Sequence, residues 1–340
     1  MNLPSTLDGA AYRRLRSKLT VEKSNARSLA VLALNLALTT TGLWLLAEPS
    51  PLSFALGSVV TAVAMHHAYL IVHECGHGTF FTSRLANDVV GHLASVLSLL
   101  PYFARQEEHA QHHRLTGSFE EPSTKRALNT FNDFNPRVLV LMQLCWRARL
   151  PLFTFNEYLL LWRLSVIDGS SRNRRWFRTA RFSAAFTMLV LGVALGLSGG
   201  TWLVRLLLAT MIFLALIEYF NLPHHIESEI RERPTPVPLW EQWSSSRSCS
   251  PMPLVGSALF LNFNYHVAHH LFPDVAWHQL GEAHAVLAAE YPAFDELKSE
   301  WLENQQLRRR PIAELLAKYI VHQRGRAKPV LGDAQRVVSE

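Results

Sequence analysis

Long apolar runs alternate with arginine-rich stretches along the chain, and this alternation sets its architecture. Four runs stand out, at residues 28–47, 52–72, 182–198 and 201–220. A 20-residue helix is about 30 Å long at 1.5 Å per residue, which matches the hydrocarbon thickness of a bilayer. Glu48-Pro49-Ser50-Pro51 separates the first two runs and Ser198-Gly199-Gly200 the last two. Such short turn-forming connections predict two helical hairpins. The first run exceeds the core of a signal peptide and no small-x-small cleavage pattern follows it, so an uncleaved span is expected. The pattern predicts an all-α integral membrane protein with four transmembrane helices.

Weaker patterns fill the remainder. Residues 7–27 carry Leu7, Leu15 and Leu19 at helical spacing among six Lys/Arg, which predicts an interfacial helix on a membrane face. The stretch from His92 to Phe103 is too short to span, and predicts an interfacial or re-entrant helix. Residues 138–164 place Trp146, Arg147, Arg149, Trp162 and Arg163 around Pro151, as suits two helices in the headgroup region. A fifth span there would have to bury Arg147 and Arg149. Beyond residue 278, patterns such as Pro311-Ile312-Ala313-Glu314-Leu315-Leu316 predict amphipathic helices of a cytoplasmic cap. With no internal repeat or low-complexity tract, residues 1–340 are expected to form a single domain.

Composition agrees with a membrane setting: hydrophobic residues make up 49% and charged residues 18%, below the soluble average of about 25%. The net charge of +6 does not point to nucleic acid, because the basic residues border apolar runs and form no groove-reading motif. Their distribution orients the chain. Of 33 Lys/Arg, six precede residue 28, fourteen lie in 73–181 and twelve in 221–340, leaving only Arg205. The positive-inside rule places both termini, 73–181 and 221–340 in the cytoplasm. Three cysteines, Cys75, Cys145 and Cys249, without a CxxC, indicate neither a disulfide framework nor a zinc knuckle.

The chemistry lies in the histidines. His73 and His77 stand at i and i+4; His109, His112 and His113 form a second box; His266, His269 and His270 repeat its spacing. On helices each box aims its imidazoles to one side. Helical pairs of this kind bind metal, and eight nitrogens exceed one coordination shell, so two metals are implied. Imidazole suits Zn, Cu, Fe and Ni alike. All three boxes fall on the expected cytoplasmic face. His66, His67, His92, His278, His284 and His322 are read as structural, although His66 and His67 sit inside a span where polar side chains need partners. His73-Glu74 with His77 also meets the HExxH spacing of zinc hydrolases, an account that leaves two boxes unused. A non-catalytic membrane protein that binds lipid or metal is the alternative from another class.

The three boxes in this order across four spans resemble the membrane-bound fatty acid desaturase and hydroxylase superfamily. His112-His113-Arg114-Leu115-Thr116-Gly117 and His269-His270-Leu271-Phe272-Pro273 support the resemblance, which runs from about residue 50 to 285. It implies two Fe ions held by His73, His77, His109, His112, His113, His266, His269 and His270. It implies a ninth histidine and a water-linked asparagine after the last span. Asn221 and His225 fit that spacing, with the adjacent His224 as the alternative. O2 would be the co-substrate and a fatty acid or fatty acyl group the substrate, with desaturation leading and hydroxylation or oxidative decarboxylation to a terminal alkene open. No fused cytochrome-like domain is recognisable, so a separate electron donor such as ferredoxin with its reductase is implied. A bacterial inner membrane is the expected location. Glu74, Glu108, Glu227 and Asp274 are candidates, by proximity, to orient the imidazoles through their second nitrogen.

Overall fold

Asp8 accepts hydrogen bonds from Ala10 N and Ala11 N at 3.0 and 2.7 Å and starts α1 (Gly9–Ser17), as an N-cap aspartate does. The computed structural model describes residues 7–122, 136–166, 174–225, 235–250, 256–296 and 300–310. The apolar stripe of α1, expected on a membrane face, is covered by protein instead. Leu7, Ala11, Leu15 and Leu19 share a core with Val267, Leu271, Phe272 and Leu287. Tyr12 stacks on Phe272 with ring centroids 5.5 Å apart. Arg14 and Lys18 pair with Glu290, and Arg16 with Asp274. A stripe of this width can bury against any apolar surface, and here that surface is the C-terminal part of the chain.

Next come α2 (Asn25–Ala47) and α3 (Pro51–His77), separated by Glu48–Ser50. Ser50 caps α3 and Pro51 opens it, where a missing N–H costs nothing. The two helices approach closely. A Cβ on Gly42 would lie 2.4 Å from Thr61 Oγ1 and 2.8 Å from Thr61 N, so only glycine fits. The helix α3 continues past residue 72 and carries the first histidine box in its last turns. It stops at Gly78, whose left-handed φ of 71° lets its N–H reach Cys75 O at 3.0 Å.

The stretch 92–103 is not one helix. α4 (Arg84–Leu97) and α5 (Tyr102–Leu115) divide it, because Pro101 restricts the residue before it and Leu99 turns with φ 56°. α6 (Pro136–Arg147) and α7 (Leu152–Val166) follow on either side of Pro151. Both are too short to span. α7 lies over the α4–α5 corner, where Tyr158 OH donates to Ser98 O at 3.2 Å and Trp162 Nε1 to Leu99 O at 3.1 Å. α8 (Arg174–Leu197) and α9 (Thr201–Asn221) complete the long helices. Beyond them, α10 (His266–Leu271) carries the third box and α11 (Leu280–Glu290) packs beside it. Residues 311–340, including the expected amphipathic helix there and His322, lie outside the described residues.

Four helices are long and apolar enough to cross a membrane: Asn25–Ala47, Pro51–His77, Arg178–Leu197 and Thr201–His225. α3 is the central one, with 72% of its apolar window buried in protein against 17–33% for the other three. Leu36, Trp44, Leu189, Leu197 and Val204 are exposed on those outer helices. Apolar faces of this extent would be unstable in water and are stable against lipid. The protein is an all-helical membrane protein in its described residues.

Candidate metal centre

His73 and His77 stand one turn apart at the end of α3, and the i, i+4 spacing turns both to one side. α5 adds His109, His112 and His113, and α10 adds His266, His269 and His270. After α9 the short 3-10 turn Leu222–His224 redirects the chain and sets His225 beside them. Donor atoms of His73, His77, His109 and His269 lie within 4.8 Å of one another, and so do those of His112, His225, His266 and His270. His113 joins the first group, its Nε2 being 3.1 Å from both His109 Nε2 and His269 Nε2. In the second group Nε2 atoms meet at 2.8 Å between His225 and His266 and at 3.1 Å between His266 and His270. The groups adjoin, with the rings of His113 and His270 centred 4.4 Å apart.

Hydrogen bonds on the far side of the rings decide which nitrogen is free. His112 Nδ1 donates to Glu121 Oε1 at 3.2 Å, His225 Nδ1 to Ser245 O at 3.1 Å and His270 Nδ1 to Gln242 Oε1 at 3.0 Å. A neutral imidazole that donates from Nδ1 presents a bare lone pair at Nε2. Lone pairs brought together at these distances repel unless a cation lies among them. Donors about 2.1 Å from an ion and at right angles stand about 3 Å apart, which agrees with the observed spacing. Burial, reinforced by neighbouring imidazoles, holds His109, His113, His266, His269 and His270 well below the usual imidazole range. They are neutral at physiological pH, the form that binds metal.

Not every candidate enters the groups. His224 is buried but stacks on His266 at 4.3 Å and donates Nδ1–H to Arg247 O at 2.9 Å; its Nε2 has no partner. Asn221 donates from Nδ2 to Tyr69 OH at 2.9 Å, leaving a buried Oδ1 without a partner. Among the carboxylates, Glu74 accepts from Thr79 Oγ1 at 2.5 Å, Glu108 pairs with Arg105 and Asp274 with Arg16. Glu227 lies outside the described residues. Among the described residues, Glu121, Gln242 and the Ser245 carbonyl accept from ring nitrogens of the groups, and sequence reasoning named none of them. Glu121 could have been found as an acidic residue just past the second box; Gln242 carries no sequence signal. His67 is tied by Asn35 and by Ala258 O, consistent with a structural part.

A cleft of about 640 Å³ opens onto the first group, lined by His73, His77, His109 and His113 with Val72 and Phe103 among its apolar walls. It gives the imidazoles an approach from outside.

Residues 49–299 match the fatty acid desaturase family. An sn-1 oleoyl-lipid 12-desaturase from Synechocystis sp. is 26% identical over 265 residues, covering 73% of this chain and 72% of the relative. An endoplasmic-reticulum omega-6 fatty acid desaturase of Glycine max is 27% identical over 295 residues, with 76% and 74% covered. A fatty acid desaturase of Bacillus subtilis is 26% identical over 269 residues, with 74% of each chain covered. The match extends over most of the chain and includes all three histidine boxes, so the protein belongs to the fatty acid desaturase family and is an oxidoreductase.

Proposed function

We propose that the protein desaturates a fatty acyl chain with O2 at a pair of irons held by the two histidine groups. The observation that carries this reading is the convergence of nine imidazoles, six of them buried, into two adjoining groups. His73, His77, His109, His113 and His269 would hold one iron. His112, His225, His266 and His270 would hold the other, with Asn221 reaching it through water. When bound, the pair supplies the oxidising power that an unactivated C–H bond demands and that no side chain possesses.

The chain supplies position and exclusion. Removing two hydrogens from adjacent carbons, with two electrons and two protons, reduces O2 to two waters. α3 and α9 lead from the apolar helices directly into the histidines, so an acyl chain lying among them has its reacting carbons brought to one depth. Burial of His73, His109, His113, His266, His269 and His270 limits the access of bulk water to the centre. Charge placement supports two hairpins with both termini and the helical cap in the cytoplasm, because both connecting turns lack Lys and Arg. A separate electron donor then meets the centre from that side. In this reading the whole chain, 1–340, is one domain and a bacterial inner membrane is its place.

The names of the relatives make oleoyl lipid the first substrate to test. Expression in a host lacking the activity, followed by mass spectrometry of lipids, free fatty acids and volatile hydrocarbons, reads the product. New unsaturation that disappears with His112→Ala or His269→Ala supports desaturation. A hydroxyl or a terminal alkene would assign the oxidation differently. A lipid change that survives both substitutions would overturn the enzymatic reading.

A further inference from the structure

The turn Leu239–Ser245 reaches both groups of imidazoles without contributing a ligand. It is docked on the end of α5, where Val237 N donates to Arg114 O at 2.8 Å. From it Gln242, fully buried, extends a single amide in two directions. Its Oε1 accepts from His270 Nδ1 at 3.0 Å, and its Nε2 donates to the backbone carbonyl of His113 at 2.5 Å. The same turn offers Ser245 O to His225 Nδ1. Two of the four rings in the second group thus take their orientation from this one short segment.

We propose that Gln242 is a positioning residue for the metal pair. It sets the ring of His270 in the second group against the backbone of His113 in the first, and so fixes how the two sites stand relative to each other. The proposal rests on the two-metal reading above. Only a group that accepts and donates from one plane can serve both neighbours, and among side chains of this length that is the glutamine amide. A carboxylate keeps the acceptor for His270 and loses the donor to His113. A thioether of similar length loses both. The contact acts through His270, and loss of such ring-orienting partners weakens metal binding about 10–100-fold.

The test is a Co(II) titration of metal-free, detergent-solubilised protein, followed by the visible absorption of the bound ion. Native protein should take two equivalents. Gln242→Met should bind one as native does and the other about 10–100-fold more weakly. Gln242→Glu, which keeps the acceptor for His270 and loses the donor to His113, should recover part of that loss. Gln242→Ala, which removes bulk instead of matching it, is titrated alongside so that a folding failure of either variant leaves the other to decide. Two native-like equivalents in the Met or Ala variant, or a Glu variant no better than the others, would overturn the proposal. Fewer than two equivalents in the native protein would instead overturn the two-metal reading itself.

Discussion

The hydroxyl of Tyr69 holds the amide of Asn221: Nδ2 donates to it across 2.9 Å, one helical turn below His73 on α3. Arg105 Nη2 donates to the same oxygen at 2.8 Å and also pairs with Glu108. Both lone pairs of the phenol are therefore used, and α3, α5 and α9 meet at one atom. The Oδ1 of Asn221 is left buried and without a partner.

Removing that hydroxyl with Tyr69→Phe leaves the ring in its packing and deprives the asparagine of its anchor. Turnover should fall about 10–100-fold, the usual effect of losing a ligand-orienting partner. Iron content and melting temperature should stay near native. Asn221→Ala should produce a similar loss, and the double variant less than the sum of the two, because the Tyr69–Asn221 bond is common to both. Additive losses in the double variant would separate the two residues.

The contact between α2 and α3 yields a stability prediction. Gly42→Ala would place a methyl carbon 2.4 Å from Thr61 Oγ1 and 2.8 Å from a backbone nitrogen. Backbone cannot yield as a flexible side chain does, so the helices must part. Overpacking of this kind costs about 1–3 kcal/mol. Thermal unfolding in detergent should show a lower Tm for Gly42→Ala, partly recovered in Gly42→Ala with Thr61→Ala.

A buried ion pair ties the last described segment to α9. Glu218 accepts from Arg308 Nη2 at 3.0 Å and from Phe153 N at 3.2 Å, while the guanidinium lies over the Trp146 ring at 4.6 Å. Side-chain exposure is 7% and 2%, so solvent screens the pair little. Arg308→Met should destabilise the protein by about 3–5 kcal/mol, because it strands a buried carboxylate. The double variant Arg308→Met, Glu218→Gln should recover much of this loss. A single variant that melts as native would show that Phe153 N, together with Thr154 N, which also donates to Glu218 at 3.4 Å, suffices for that carboxylate.

Much of this arrangement was legible in the sequence. Hydropathy located the four long helices, and the box spacing located eight of the nine grouped histidines, because each signal is local and periodic. His225 needed the family resemblance, since a proline and a second histidine obscure its geometry. The partner of α1 was not legible: Leu7, Leu15 and Leu19 announce an apolar stripe without naming what covers it. Gln242 and Glu121 were not legible either. A residue that orients a ligand from a distant turn leaves no pattern along the chain, and only the fold brings it to its ring.

Acid should destabilise the metal-free protein in a defined window. His109, His113, His266, His269 and His270 are held well below the usual imidazole range, by burial first and by neighbouring imidazoles second. In the unfolded chain the same residues gain protons as pH falls through about 6.5. The unfolded state then binds more protons than the folded one, so folding stability drops as pH drops, by up to about 1.4 kcal/mol per unit for each such histidine. Above that window both states hold neutral imidazoles and these groups add no slope. The Tm of metal-free protein should therefore be level from about pH 8 to about pH 7 and fall steeply towards pH 5. Replacing His113 and His270 by Asn should flatten the descent, since two of the depressed groups are then gone. A level Tm through the whole range would mean that these imidazoles take up protons in the folded state, and the neutral, ligand-ready cluster would have to be abandoned.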